Sequence, residues 1–406
     1  MLNLIKKKKK FCVFDIGTDK VVCILFRVEN NKPIILGMDH QKSVGFMNGT
    51  LIDDNKLSEN IHRAFKTSLP KGSNISNFIF FSNITDKSLI TRKSYIEVDT
   101  GKLSITKKDV RKIFKKSVSE SKLKGKYLIH SEPTHFRVND KISENPIGIE
   151  SKKFGISSFN LMIDNKLQDR LQKCFKEKKI EITSFFETGV ASAIGNLSEL
   201  EKKEGVASID IGSTSTKVTV FKDNKIAYSN IIRLGGENVT NDISKGLSIS
   251  IESAEHTKIV NGTLTLPFNE KIEINTNKNI NKEISKNFLY GIIKPRYEEI
   301  LEIIRDDLFD DLYARVSIKS VVLSGGASKI FGISDLSESI FNRKIRIGGV
   351  NDKSSYFFNK PEFSTILGLI KLAKDNKKYE YSNVLKKGNI ITAFDKLENW
   401  IEESYA

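Results

Sequence analysis

The chain carries the same hairpin twice. Phe11–Phe26 reads FCVFDIGTDKVVCILF and Val206–Phe221 reads VASIDIGSTSTKVTVF, 195 residues further along. In each copy four apolar residues lead into Asp-Ile-Gly and a hydroxyl residue, and a second β-rich run closes on a Phe eleven positions after the Asp. Alternating Val, Ile and Phe bounded by turn residues predict strand–turn–strand units. A polar turn follows each copy, at Glu29–Pro33 and Lys222–Lys225, and then another apolar run. One Asp-x-Gly-Ser/Thr turn is ordinary hairpin chemistry. Two copies with matched flanks argue instead for a duplicated fold whose turns are used.

Such turns suit phosphate. A Gly at a tight strand turn lets backbone N–H groups come close to an anion, and neighbouring hydroxyls add donors. An Asp at the end of the preceding strand is placed to hold a hydrated Mg²⁺ beside the phosphates. Further pieces follow in order. Glu187–Gly195 and Ser364–Ala373 are predicted as two small-residue helices able to pack closely. Leu234–Asn238 holds a Gly-Gly turn and Val239–Leu247 reads as the start of a helix. Val321–Ser328 is an apolar strand running into a second Gly-Gly turn, where backbone can lie against a flat purine.

Composition removes other classes. At 406 residues the chain has room for two to four folded units. With 39% hydrophobic residues and only 7 Pro it is neither disordered nor of low complexity. Three cysteines (Cys12, Cys23, Cys174) without CxxC spacing support neither a disulfide framework nor a zinc knuckle, and a reducing cytosol is the simplest setting. The net charge of +16 comes from 54 Lys and only 12 Arg, spread along the chain, which argues against nucleic acid as a partner. The basic run Lys6–Lys10 precedes an apolar run, Phe11–Phe14, that is too short for a signal peptide. No apolar stretch reaches the ~18 residues of a spanning helix, so the expectation is a soluble or surface-attached protein.

The order of these motifs resembles the actin / sugar-kinase / heat-shock ATPase superfamily. Within it the sequence is similar to the FtsA family of bacterial cell-division proteins. The resemblance runs from about Phe11 to the C-terminus and is densest in Gly235–Ile243 (GGENVTNDI), Ala254–Lys258 (AEHTK) and Ile292–Leu301 (IIKPRYEEIL). His130–Asp140 (HSEPTHFRVND) with Asn145–Gly148 also matches, where this family carries its own subdomain. The resemblance implies an α/β, actin-like fold of two RNase H-like halves, an FtsA-type inserted subdomain and a C-terminal amphipathic helix. It implies residues 11–83 and 155–189 as the first nucleotide-facing subdomain and 84–154 as the insert. Residues 190–241 and 318–381 form the second nucleotide-facing subdomain, 242–317 a small subdomain, and 382–406 a linker and membrane-targeting helix.

By the same resemblance ATP lies in the cleft between the halves with Mg²⁺ held through water by Asp15 and Asp210. Asp15, Gly17 and Thr18 match the first phosphate loop; Asp210, Gly212, Ser213 and Thr214 match the second. Gly235, Gly236, Glu237, Glu255 and Lys258 match positions near the ribose and phosphates, and Gly325, Gly326 and Ala327 the adenosine loop. The second phosphate loop departs from the family pattern: it has fewer glycines, and Lys217 stands where an acid is usual. Lys217 either contacts a phosphate or points to solvent as strand lysines usually do, and solvent is the expectation. Glu187 is the candidate for hydrolysis by position, with an N-terminal helix charge as the alternative. The expectation is at most a slow ATPase.

The implied function is an ATP-binding division protein that links FtsZ polymers to the inner membrane and helps assemble the septum ring of the divisome. It would sit on the cytoplasmic face at the division site and self-associate into filaments. The FtsZ C-terminal tail would dock on 242–317, with Lys294, Arg296 and Arg305 as contacts and a helix start at Lys294–Glu299 bearing Pro295 in its first turn. Ile390, Phe394, Leu397 and Ile401 share one helical face with Trp400 at its margin, which suits a membrane interface as a peripheral anchor. Asp395, Glu398, Glu402 and Glu403 oppose binding to an anionic surface. The alternatives are an actin-fold phosphotransferase of the sugar- or acetate-kinase type and a pilus-assembly actin-like protein. The insert is predicted as a small α+β module, with Ser94–Val98 and Tyr127–His130 as strands around a basic helix, Lys107–Lys122.

Overall fold

The computed structural model describes residues 9–47, 49–73, 75, 78–268, 270–275, 281–349 and 359–374. They fall into two compact units, residues 1–194 with 365–406, and residues 195–364. The first unit opens with β1 (Lys10–Ile16), β2 (Lys20–Glu29), β3 (Lys32–Lys42) and the ribbon β4 (Phe46–Met47) and β5 (Thr50–Leu51). Then come α1 (Asp54–Ser68), β6 (Phe78–Ile84), β7 (Ile90–Ser104), α2 (Lys107–Ser121), β8 (Lys126–Val138) and β9 (Lys141–Ser143). It continues with β10 (Glu150–Asp164), α3 (Asn165–Lys176), β11 (Ile182–Glu187) and α4 (Thr188–Asn196).

The second unit holds α5 (Glu199–Glu204), β12 (Val206–Ile211), β13 (Thr216–Lys222), β14 (Lys225–Ile232), α6 (Gly236–Leu247) and α7 (Ile251–Asn261). After the ribbon β15 (Lys271–Asn275) and β16 (Asn281–Ser285) come α8 (Lys286–Asp310), α9 (Leu312–Ser317), β17 (Ser320–Ser324), α10 (Ile333–Phe341) and β18 (Lys344–Ile347). The chain then returns to the first unit within α11 (Ser364–Lys374).

The duplication seen in two hairpins extends to two whole sheets. The first runs β3-β2-β1-β6-β11 and the second β14-β13-β12-β17-β18. In both, the first three strands are antiparallel neighbours and the last two join in parallel. The hairpin register is also the same: Ile16 pairs with Val21 and Ile211 with Thr216, so each turn is closed by four residues. Strands β1 and β12 are buried on both faces, as near-continuous apolar runs beside parallel neighbours should be.

The stretch between β6 and α3 forms a separate antiparallel sheet, β7-β10-β8-β9, covered by α2. Ile96, Phe136, Phe154 and Ile156 of the sheet pack with Val110, Ile113 and Phe114 of the helix. The spacing 110, 113, 114 turns one apolar stripe of an otherwise lysine-rich helix inward. Strand β10 runs straight through residues 154 and 155, where the sequence places the end of this insert.

Two close helix contacts follow from small residues. Gly368 of α11 lies so near Ala191 of α4 that an added Cβ would stand 1.7 Å from the Ala191 carbonyl oxygen. Lys371 then donates to the Ile194 carbonyl (2.9 Å), capping the α4 C-terminus where the helix dipole favours a cation. In the second unit, α8 lays Leu289, Ile293, Tyr297, Ile300, Leu301, Ile304 and Leu308 into a core shared with β12, β13 and β17.

Helix α8 corrects the sequence reading. It begins at Lys286, with the Ser285 hydroxyl accepting from Asn287 N (3.2 Å), so Pro295 lies inside it and not in its first turn. The missing N–H and the ring both affect the carbonyl four residues earlier, which here belongs to Gly291, and Pro295 itself is exposed. The segment holding Ile390, Phe394, Leu397, Trp400 and Ile401 lies outside the described residues. Among the described residues no helix is long and apolar enough to cross a membrane.

Candidate functional site

Each unit builds a turn of the same design. In the first, Gly17 N donates to Lys20 O (2.9 Å), and the Thr18 hydroxyl accepts from Gly49 N (3.1 Å). Asp15, at the end of β1, accepts from the Asn83 amide (2.8 Å). The Asn83 side chain is buried where β6 ends beside β1. Its oxygen accepts from Ile16 N (2.7 Å), and its amide also faces Ile16 O (3.3 Å) and Thr188 Oγ1 (3.2 Å). Thr188 and Thr85 hydroxyls meet at 2.7 Å. Asn83, Thr85 and Thr188 thus fix the first Asp, and the sequence reading assigns none of them a role.

Glu187 ends β11 and is only 2% exposed. Its Oε2 accepts from Val190 N (2.7 Å), which caps the first turn of α4. This bond matches the helix-end reading of Glu187 through one carboxylate oxygen.

In the second unit three turns converge. Gly212 N donates to Ser215 O (3.1 Å), the counterpart of Gly17 and Lys20. Gly236 N donates to Gly212 O (2.9 Å) and Glu237 N to Ser213 O (2.8 Å), which binds the Gly235-Gly236 turn to the phosphate-type turn. A Cβ on Gly235 would lie 2.5 Å from both the Gly212 and Ser213 carbonyl oxygens. Gly325 has φ +86°, and a Cβ there would lie 2.4 Å from Asp210 Oδ1 and from Ile211 O. Ala327 lies beside Gly236. Asp210, Gly212, Ser213, Gly235, Gly236, Glu237, Gly325 and Ala327 are therefore brought together, with Gly326 next in the chain and Thr214 buried within the turn.

Glu255 and Lys258 lie one turn apart on α7. Lys258 Nζ donates to Gly236 O (3.0 Å), Thr240 Oγ1 (2.7 Å) and Glu255 Oε2 (2.7 Å), three acceptors for its three protons. Its task is to hold α7 against the Gly-Gly turn, while the Glu255 carboxylate stays 45% exposed. Tyr297, 1% exposed, donates its hydroxyl to Ala327 O (2.9 Å) and so anchors the Gly325-Gly326 turn from α8. Burial, with the Glu255 charge nearby, pushes that phenol up and keeps it a donor. Nothing in the sequence marks Tyr297 beyond its place in an apolar stripe.

Lys217 overturns the solvent expectation. It pairs directly opposite Asp210 across β12–β13, so the two side chains share one face. It is half-buried, its ammonium is 3.4 Å from Ser215 O, and a Cβ on Gly212 would lie 3.1 Å from Nζ. The equivalent residue opposite Asp15 in the first unit is the buried Val22.

The three α8 cations expected as tail contacts are engaged locally. Arg296 grips Asp242 of α6, with Nη2–Oδ1 at 3.2 Å, and also contacts Glu299. Lys294 pairs with Glu298 (3.2 Å) and Arg305 with Asp306 (2.8 Å). At 3.6 residues per turn Lys294 and Arg305 fall on one side of the helix and Arg296 on the other.

Two copies of one five-stranded sheet, each opening on a glycine turn behind an Asp, define an actin-like protein. Solved structures agree at the level of fold. The PilM-PilN type IV pilus biogenesis complex matches with a TM-score of 0.62 over 88% of this chain and 97% of that chain, at 14% identity. MreB5 of Spiroplasma citri bound to ADP matches at 0.57 over 94% and 100%, also at 14%. The MamK double helical filament matches at 0.53 over 90% and 98%, at 12%. In sequence, a family model described as "Cell division protein FtsA" matches residues 207–368. The FtsA of Agrobacterium fabrum is 26% identical over 386 residues, covering 90% of this chain and 87% of the relative. The FtsA of Bacillus subtilis is 26% identical over 377 residues, covering 90% and 84%. In sequence the chain is similar to the FtsA family of cell-division proteins along most of its length, and its fold is actin-like.

Proposed function

We propose that the protein binds ATP and uses it to organise a body that links FtsZ polymers to the inner membrane at the division site. The observation that carries the nucleotide reading is the convergence of three glycine turns in the second unit: backbone hydrogen bonds join the Gly212 and Gly235-Gly236 turns, and the Gly325-Gly326 turn packs against Asp210, Ile211 and, through Ala327, Gly236. Tight glycine turns of this kind suit polyphosphate and a flat base.

In this reading the turn at Gly212–Thr214 holds phosphate through backbone N–H groups and the Ser213 and Thr214 hydroxyls. The turn at Gly17–Thr18 does the same in the first unit. Glu255 accepts from the ribose hydroxyls, kept in place by Lys258 and Thr240. The Gly325–Ala327 turn takes the base, supported by Tyr297. Asp15 and Asp210 each end a strand beside a glycine turn, and from either place a carboxylate would hold hydrated Mg²⁺ through water. Among the described residues no group of three His, Cys, Asp or Glu could cage a metal, and Mg²⁺ commonly keeps its waters and uses few carboxylates. That ion would offset phosphate charge. Glu187, which caps α4 through Oε2, is the residue whose position suits orienting a water, and any hydrolysis would be slow.

The partner side of the proposal is tested with a fluorescent FtsZ C-terminal tail peptide titrated by the full chain. Saturable binding is expected, weakened by Lys294→Glu or Arg305→Glu, whose partners are exposed acids on α8 itself. Absence of saturation sinks the link to FtsZ. Arg296→Glu is the wrong probe, because it would break the α6–α8 ion pair with Asp242. Membrane attachment is tested by flotation on vesicles of phosphatidylethanolamine and phosphatidylglycerol. The full chain is expected to float and a chain truncated after Gly388 to stay at the bottom. Equal flotation removes the terminal helix as the anchor.

A further inference from the structure

The second phosphate-type turn carries a charge that the first lacks at the equivalent strand position. Asp15 faces Val22 across its hairpin, whereas Asp210 faces Lys217. The ammonium of Lys217 is folded against the turn, next to Gly212 and Ser215, within reach of an anion held by that turn. Lys258, a second cation near this turn, directs its three protons to Gly236, Thr240 and Glu255. Lys217 makes a long hydrogen bond to the Ser215 carbonyl at 3.4 Å, and its backbone lies in strand β13. We infer that Lys217 is a built-in counter-ion for the nucleotide phosphates, so that this chain holds nucleotide with little help from a divalent cation.

Charge balance is the physical reason. A carboxylate beside a phosphate turn repels the nucleotide and ordinarily calls for a metal ion to offset both charges. Directly opposite Asp210, a fixed ammonium offsets the carboxylate in the sheet and leaves donors for the phosphate. It does so in a half-buried setting where opposite charges interact more strongly than in bulk water. The second turn is short of glycine, which limits backbone approach; a side-chain cation compensates by reaching out to the anion.

The inference rests on the nucleotide reading proposed above, and the experiment separates the two. ADP is titrated calorimetrically into the full chain, its Lys217→Met variant and its Lys217→Arg variant, each in Mg²⁺ and in EDTA. The wild type is expected to lose less than about threefold in affinity when EDTA replaces Mg²⁺. Lys217→Met is expected to lose about tenfold to a hundredfold in EDTA, the range of one charge-assisted hydrogen bond, and Lys217→Arg to recover most of it. Wild-type binding that vanishes in EDTA, or equal EDTA affinity in wild type and Lys217→Met, overturns the counter-ion role while leaving nucleotide binding intact. A wild-type chain that binds no ADP even in Mg²⁺ overturns the nucleotide reading and this one with it. Melting curves show whether Lys217→Met folds; if it does not, the wild-type response to EDTA still decides.

Discussion

Replacing Gly368 by Ala should lower the melting temperature of the first unit by roughly 4–8 °C, although helix propensity alone says the opposite. In the interior of a helix Ala is favoured over Gly by about 1 kcal/mol. At this position, however, the new methyl would sit 1.7 Å from the Ala191 carbonyl oxygen and 2.5 Å from its carbon. Both atoms are backbone, so no side chain can rotate away, and α11 must retreat from α4. Overpacking of that kind costs about 3 kcal/mol, leaving a net loss of about 2 kcal/mol after the propensity gain. A unit of this size shifts by roughly 2–4 °C per kcal/mol. Gly291→Ala in α8 is the matched control. Its Cβ would meet nothing within 4 Å, so only propensity acts and the melting temperature should rise. Calorimetry on the two variants settles the matter by sign, and a Gly368→Ala protein as stable as the wild type removes the close helix crossing.

Asn83→Leu should cost about 2–4 kcal/mol of stability and weaken ADP binding about tenfold or more. The leucine keeps the volume but leaves the Ile16 N–H without its acceptor at 2.7 Å and Asp15 without its donor at 2.8 Å. Each buried partner lost costs about 1–3 kcal/mol. The Asp15 carboxylate then loses one of the contacts that direct it. Asn83→Asp gives a sharper test. Its first oxygen can still accept from Ile16 N, but the second faces Asp15 Oδ1, and two adjacent carboxylates favour sharing a proton. The folded-state pKa of the pair is raised above the unfolded value, so the folded protein binds more protons. Stability is therefore present below the unfolded value, near about pH 4, and is lost as pH rises through the folded-state value. Asn83→Asp should approach wild-type stability at about pH 4 and fall well below it at about pH 8. Parallel pH profiles for variant and wild type would exclude the Asn83–Asp15 contact.

Much of the site is legible directly in the chain because its chemistry is local. Asp-Ile-Gly plus hydroxyl sits within one hairpin, and both copies fold to the same four-residue turn with the same Gly N–H to carbonyl bond. The Gly-Gly turns at 235 and 325 are also marked by composition alone. Asn83 is not, because a single Asn after an apolar strand looks like a strand end. Its role appears only when β6 lies parallel to β1 and brings residue 83 beside residue 15. Lys217 reads as a solvent lysine because strand alternation gives a side chain's face, not what the opposite strand puts on that face. Pro295 suggests a helix start because proline favours first turns. The Ser285 hydroxyl, which caps the true N-terminus of α8, is the better signal.

The sequence by itself determined the two phosphate-type turns and the apolar stripes, since each depends on residues within a few positions of one another, and the duplication, since each copy is such a local pattern repeated. Only the tertiary structure decided the partners: Asn83 for Asp15, Lys217 for Asp210, Tyr297 for the Ala327 carbonyl and Asp242 for Arg296. Most of these pairs join groups tens of residues apart. Their geometry is fixed by strand register and helix packing, which a burial pattern implies but does not specify.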